Sequence, residues 1–167
     1  MKTRKYAAFQ SMIGEIIVVV EEDYVSAVYI GKEDFLKEEN QEDLVYDGQN
    51  SLLTKAIGQL EEYFSGNRTE FNLPLLINGT PFQISVWEQL RVIPYGKTRS
   101  YQDVAHAIGK EKAVRAVGQA NKANRFPIIV PCHRVIGKNQ TLTGYAGKKT
   151  DIKAKLLTLE GASFVDK

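Results

Sequence analysis

Apolar residues follow two different rhythms along this chain, and the change falls near residue 78. From Tyr6 to Gly31 they come in short bursts rich in β-branched residues: Tyr6, Ala8 and Phe9, then Ile13, then Ile16-Ile17-Val18-Val19-Val20, then Val25 to Ile30. Gly14, Glu22-Asp23 and Gly31 punctuate the bursts, which predicts a small antiparallel sheet. Lys32 to Gln49 is acidic and lacks a sustained period, so it reads as loop with a short helix. Ser51 fits the N-cap of a helix carrying Leu52, Leu53, Ala56, Ile57, Leu60 and Phe64, with Gly66 just past its end. Thr69 to Leu76 reads as one more strand, and Asn78-Gly79-Thr80-Pro81 as a turn or linker.

Beyond that linker the spacing becomes helical. Phe82, Val86, Leu90 and Ile93 share one helix face, opened by Pro81 and stopped by Pro94-Tyr95-Gly96. Ser100-Tyr101-Gln102-Asp103 has the form of a capping box with Asp in the place of Glu or Gln, and starts a helix carrying Val104, Ala105 and Ile108. A third helix is expected from Glu111 to about Ala123, dominated by Ala113, Ala116, Gly118, Ala120 and Ala123. Two helices joined by a short Gly-containing connection make a helix-turn-helix candidate, although many such hairpins never touch nucleic acid. The expected architecture is therefore α+β: a small α/β domain over 1–78 with an antiparallel sheet, and a mostly helical domain over 79–167 with a helix-turn-helix.

Charge sharpens this division. The net charge of +2 in 167 residues is a sum of unlike halves. Residues 1–78 hold 7 Lys+Arg against 14 Asp+Glu, a balance of −7, and the remainder holds 15 against 6, a balance of +9. A basic half joined to an acidic one suggests a polyanion-binding module beside a scaffold, with charge scatter in a short chain as the plain alternative. The single cysteine excludes an intramolecular disulfide and a structural zinc site built on several cysteines. The longest apolar run near the N-terminus is the five residues Ile16 to Val20, too short for a bilayer span or a signal-peptide core, so a reducing cytoplasm is the expected location.

Candidate chemistry gathers in Phe126-Pro127-Ile128-Ile129-Val130-Pro131-Cys132-His133-Arg134-Val135-Ile136. Two prolines bracket the apolar run and remove backbone donors, so a regular central strand is not expected there. Cys132 on its own reads equally as a small core residue, since most buried thiols are inert. His and Arg beside it can favour thiolate, the nucleophilic form. Adjacent side chains on an extended segment point to opposite faces, so His133 must act through a turn or a water, oriented by a third, acidic group. Glu160, at the end of a C-terminal helix, is a candidate, while spacing alone makes it a solvated helix-end residue.

Pro131-Cys132-His133-Arg134-Val135 resembles the active-site motif of the O6-alkylguanine-DNA alkyltransferases, or methylated-DNA-protein-cysteine methyltransferases. The likeness extends through Gly79-Thr80-Pro81-Phe82-Gln83 with Val86-Trp87, Ile93 to Tyr101, Ala113 to Gly118, Leu142 to Gly147 and Leu156 to Gly161. It covers the basic half from Gly79 to Gly161; the acidic half matches in length and general character, and its implied fold is ribonuclease H-like. The resemblance implies direct-reversal DNA repair: one irreversible transfer per molecule of the alkyl group of O6-methylguanine, with O4-methylthymine as a further substrate, to Cys132 in a flipped nucleotide.

By the same resemblance, His133 takes the thiol proton through a water, Glu160 orients the imidazole, and Asn124 braces the active-site turn. Tyr101 donates to the base, the Val135 carbonyl accepts from its exocyclic amine, and Tyr145 with the Ala146 N–H lines the pocket. Arg115 fills the space left by the flipped nucleotide. Ala116 and Gly118 allow close approach of the second helix to the minor groove, or simply tight helix packing, and Arg125 and Arg134 add DNA contacts. Double-stranded DNA is the implied partner of a monomer with no obligatory protein partner, cofactor, metal or membrane. Two departures stand out: Arg125 where many members have proline, and Lys148-Lys149 after Gly147 where a second glycine is common. Three other readings remain beside this one. A lesion-binding module would lack Cys132; a cysteine hydrolase would need an oxyanion hole; a transcription regulator of this kind would need more cysteines.

Overall fold

The computed structural model describes residues 3–142 and 150–165, and its contacts divide the chain into two units, Met1–Ile77 and Asn78–Lys167. In the first unit, β1 (Arg4–Ser11), β2 (Gly14–Glu21) and β3 (Tyr24–Ile30) form an antiparallel meander. The segment expected as loop and short helix contains α1 (Lys32–Glu38), a 3-10 turn (Gln41–Asp43) and β4 (Leu44–Tyr46). β4 pairs parallel with β1, giving the order β3-β2-β1-β4, so the sheet is mixed rather than wholly antiparallel. Three residues of strand without alternation leave too little pattern to be recognised in sequence.

The apolar run Ile16 to Val20 is buried along its whole length because both faces of β2 are covered. Ile17 and Val19 cluster with Ala27, Tyr29 and Phe35 on one face. The alternate residues point to the other face, against which α2 (Ser51–Phe64) packs with Leu53, Ala56, Leu60 and Tyr63 buried. Asn50, not Ser51, is the N-cap of α2: its side chain accepts from the Leu53 N–H, and Ser51 is the first helical residue. Gly66 lies just past the end with φ +81°, where a Cβ would be strained. The expected strand over Thr69–Leu76 reduces to one parallel bridge, Val25 to Leu75, flanked by Val25 N–H to Pro74 O and Leu76 N–H to Val25 O. Pro74 has no N–H with which to extend a ladder.

The second unit is built on helices α3 (Pro81–Arg91), α4 (Tyr101–Ala107), α5 (Val114–Lys122) and α6 (Thr150–Glu160). α3 and α4 each open with a complete capping box, Thr80 with Gln83 and Ser100 with Asp103. α5 starts at Val114, three residues later than expected, because Lys110 to Ala113 is a turn closed by the Ala113 N–H to the Lys110 carbonyl. Val117, Ala120 and Asn121 are its buried face, packed on α3 and α4, and the Trp87 indole donates to the Ala120 carbonyl at 2.8 Å. A two-residue parallel pair, β5 (Arg99–Ser100) with β6 (Val135–Ile136), joins the start of α4 to the segment just after Cys132. Among the described residues no helix is long and apolar enough to cross a membrane.

Candidate active site

The chain leaves α5 through a loop held by one side chain. The Asn124 amide donates to the Val130 carbonyl at 2.8 Å while its oxygen accepts from the Phe126 N–H at 2.9 Å, so a single residue ties both ends of the bracketed apolar run. Ile128 within it has φ +77°, a left-handed conformation that is strained for a β-branched residue and is held here by complete burial. The loop delivers the backbone into a 3-10 turn over Cys132–Arg134, closed by the Arg134 N–H to the Pro131 carbonyl. This turn resolves the objection raised by an extended segment, because its side chains need not alternate. The Asn121 amide lies 3.4 Å from the Cys132 carbonyl, and its buried Oδ1 has no hydrogen-bond partner among the described residues.

Glu160 is where the expectation from spacing fails. It ends α6, yet it is buried. Its Oε2 lies 2.6 Å from His133 Nε2 and accepts from Arg134 Nη2 at 3.0 Å. Its Oε1 accepts from Arg134 Nε at 2.8 Å and from the Gly96 N–H at 3.3 Å. A Cβ on Gly96, whose φ is +81°, would sit 3.1 Å from the Glu160 carbonyl oxygen, so this close approach needs glycine. Burial alone would raise the Glu160 pKa, but hydrogen bonds and charge from His133 and Arg134 outweigh it and hold the carboxyl at about 2. Burial lowers the pKa of His133, against the opposing pull of Glu160. The imidazole is therefore neutral at pH 7, and it donates from Nε2 to the carboxylate. That tautomer leaves Nδ1 as the basic nitrogen.

Arg134 does not lie where a DNA contact needs it. It is buried, forms the two-pronged pair with Glu160, donates from Nη1 to the Ile93 carbonyl at 2.7 Å and lies over the Tyr95 ring. A guanidinium so committed anchors the Glu160 carboxylate. Arg115, Ala116 and Arg125 are exposed, as are Lys110, Lys112 and Lys122, which gives the α4–α5 pair a basic outer surface; Gly118 is half-buried. Tyr101 is the first residue of α4 and Val135 the first of β6, and the β5–β6 pairing places the two segments side by side. Tyr145 and Ala146 lie outside the described residues. Cys132 is a buried thiol outside any disulfide.

Two members of this site had no place in the sequence reading. Asn121 and Lys153 are both buried, and Lys153 Nζ lies 5.8 Å from the centre of the Tyr101 ring. A signal for Lys153 exists: it stands three and four residues before Leu156 and Leu157, on the stripe that belongs to the core. Among the described residues no cluster of His, Cys, Asp or Glu is suited to hold a metal ion.

Known proteins match this chain over nearly its whole length. Residues 4–77 match the family model described as "6-O-methylguanine DNA methyltransferase, ribonuclease-like domain" and residues 81–162 the one described as "6-O-methylguanine DNA methyltransferase, DNA binding domain". A constitutive methylated-DNA–protein-cysteine methyltransferase of Bacillus subtilis is 50% identical over 97% of this chain and 98% of its own. One from Methanosarcina acetivorans is 45% identical over 94% and 98%. The crystal structure of Mycobacterium tuberculosis OGT in complex with DNA superposes with a TM-score of 0.85 at 40% identity, covering 93% of this chain and 92% of that one. With both halves matched in order and a relative 50% identical over 97% of it, the chain belongs to the methylated-DNA–protein-cysteine methyltransferase family.

Proposed function

We propose that this protein repairs DNA by direct reversal, moving the alkyl group from O6 of guanine in duplex DNA to Sγ of Cys132 in one irreversible turnover. The observation that carries this reading is the buried Cys132 on a 3-10 turn whose next residue, His133, is locked to Glu160. The Cys132 thiol gives its proton, through a water, to Nδ1 of His133, and Glu160 stabilises the imidazolium. The sulfur forms a bond to the alkyl carbon as the carbon–O6 bond breaks. The electron pair leaves with guanine, whose negative charge is neutralised by a proton from Tyr101. The thioether has no second thiol to displace it, since Cys132 is the only cysteine in the chain.

The target carbon is inaccessible inside the base stack, so the nucleotide is flipped out. Arg115, exposed on the first turn of α5, occupies the vacated space while Ala116 and Gly118 let that helix lie in the minor groove. The Val135 carbonyl receives the guanine amine, and Tyr145 with Ala146 completes the pocket. In this reading the protein acts as a monomer.

The test is intact-mass measurement after mixing with duplex DNA carrying O6-methylguanine. A gain of one methyl group, about 14 Da, on wild type and none on Cys132→Ala is expected. Folded wild-type protein that gains no mass overturns the proposal. Arg115→Ala is expected to slow repair of duplex at least tenfold while leaving reaction with free O6-benzylguanine within about twofold, since free base needs no flipping. Equal loss on both substrates removes Arg115 from that role.

A further inference from the structure

Helix α5 presents different residues to solvent and to the core. Arg115 and Ala116 are exposed, whereas Val117, Ala120 and Asn121 are buried. Arg115 and Asn121 stand six residues apart, about 9 Å along the helix axis. Polar contacts hold the buried side at its C-terminal end. The Trp87 indole of α3 donates to the Ala120 carbonyl at 2.8 Å, and the Asn121 amide donates to the Cys132 carbonyl at 3.4 Å. That same carbonyl accepts from the Val135 N–H, while the Cys132 N–H donates to the Val130 carbonyl at 2.7 Å. Asn121 is therefore a side-chain link from α5 to the peptide of the cysteine itself, at the point where the 3-10 turn closes on Val135.

Packing gives no reason for an amide at this position. Asn121 is 4% exposed, its hydrogen bond to Cys132 is long, and its Oδ1 has no partner among the described residues. A buried acceptor left unpaired destabilises by more than one such bond stabilises. Exchanging the amide oxygen and nitrogen would bring two acceptors to 3.4 Å, so the Cys132 carbonyl fixes the orientation with Nδ2 toward it. Leucine has the same branched outline and a higher helix propensity, and beside it the Cys132 carbonyl would still have the Val135 N–H. Asn124 does not duplicate the link, because it ties Val130 from beyond the helix end. An amide that lowers stability, placed between the helix of Arg115 and the backbone of Cys132, points to function.

We propose that Asn121 is a positioning residue that holds the nucleophile turn in register with the DNA-reading helix: the place α5 takes on the duplex is passed through its amide to Cys132 and Val135. The inference rests on the reading of Cys132 as the reacting residue and of α5 as the helix in the groove. In that reading Arg115 displaces the nucleotide, the Cys132 sulfur attacks it and the Val135 carbonyl receives its base. Productive transfer needs these groups placed to within about 0.5 Å of one another's required positions. A rigid helix joined to the turn at Cys132 supplies that register. No bond or proton changes at Asn121, which acts by geometry alone.

The test is single-turnover kinetics of Asn121→Leu on two substrates, O6-methylguanine duplex and free O6-benzylguanine. At saturating duplex the first-order rate of methyl uptake is expected to fall at least tenfold. Duplex affinity is expected to stay within about twofold of wild type, because the exposed cations are untouched. Reaction with the free base, which α5 does not place, is expected to stay within about threefold, and the melting temperature to hold or rise. A merely structural role would lower the melting temperature and slow both substrates alike. Asn121→Ala, which asks the core for no extra volume, gives the same kinetic comparison if the leucine variant does not fold. A duplex rate within about threefold of wild type in a folded variant, or equal loss on both substrates, overturns the proposal. Backbone amide NMR separates it from the repair reading. On addition of undamaged duplex, the Cys132 and Val135 resonances are expected to shift in wild type and to shift less than half as far in the variant. If wild type takes no methyl group from DNA yet shows that difference, the coupling stands and the repair function is refuted; equal shifts in both proteins overturn the coupling.

Discussion

The two units bury polar groups in different ways. Among the described residues the first unit buries two polar or charged side chains, Glu39 and Gln59, and each serves packing. Glu39 accepts from Arg4 and from the Tyr29 hydroxyl, and Gln59 clasps the backbone of Asn72. The second unit buries Asn121, His133, Arg134, Lys153 and Glu160; four are ionisable, and His133, Arg134 and Glu160 are joined to one another directly after Cys132 in the chain. Both units have an apolar core of ordinary make, so stability alone does not call for these charges. Burying charge destabilises unless it is paired, and its concentration in one place marks where a fold gives up stability for chemistry.

This contrast can be broken most directly at His133. His133→Phe keeps the buried volume but removes the base, and the rate of alkyl transfer is expected to fall by about 10² to 10⁴, with Glu160 still paired to Arg134. A rate within threefold of wild type in single-turnover kinetics would mean that the buried polar cluster is structural after all.

A stability comparison ranks next. Glu160→Gln strands the buried Arg134 guanidinium and is expected to cost about 3–5 kcal/mol in urea unfolding. Glu39→Gln, whose partner Arg4 is one-fifth exposed, should cost about 1–3 kcal/mol. Equal costs would erase the distinction between the units. The pH dependence has a definite sign. The Glu160 pKa is depressed from 4.5 to about 2, so its stabilisation is present above pH 4.5 and is lost as pH falls toward 2, by about 3 kcal/mol. His133, also depressed, acts in the same direction as pH falls below its unfolded value near 6.5. The acid-unfolding curve of Glu160→Gln should lack the lower of these two losses.

The smallest effect separates neighbouring residues in the first unit. Asn50→Ala should lower stability by about 1 kcal/mol in thermal or urea unfolding, because the Leu53 N–H loses its acceptor. Ser51→Ala should change it by no more than a few tenths.

Much of the scaffold was legible in the chain. The β-meander follows from β-branched bursts broken by turn residues, and Pro81 and the Ser100–Asp103 capping box mark the starts of α3 and α4, the Thr80–Gln83 box being seen only in the structure. β4 escaped because it is three residues long, and the segment before Ile77 looked like a strand because its apolar residues hide the break that Pro74 imposes. Within the site, Cys132, His133 and Asn124 stand close together in sequence, and a local motif carries their relationship.

Glu160, Arg134 and Lys153 are the opposite case. Arg134 reads as a cation favouring the thiolate and as a DNA contact, and Glu160 by spacing alone as a solvated helix end with its pairing to His133 implied only by resemblance, since local sequence carries no record of a partner 26 residues away. The sequence by itself determined two unlike halves, a reactive cysteine motif and helices with defined starts, because these depend on period, composition and short-range hydrogen bonds. Only the tertiary structure decided which charges are buried and whom they face. Burial and pairing are long-range properties: α6 must dock on the Cys132–Arg134 turn before its last residue becomes a buried carboxylate shared by His133 and Arg134.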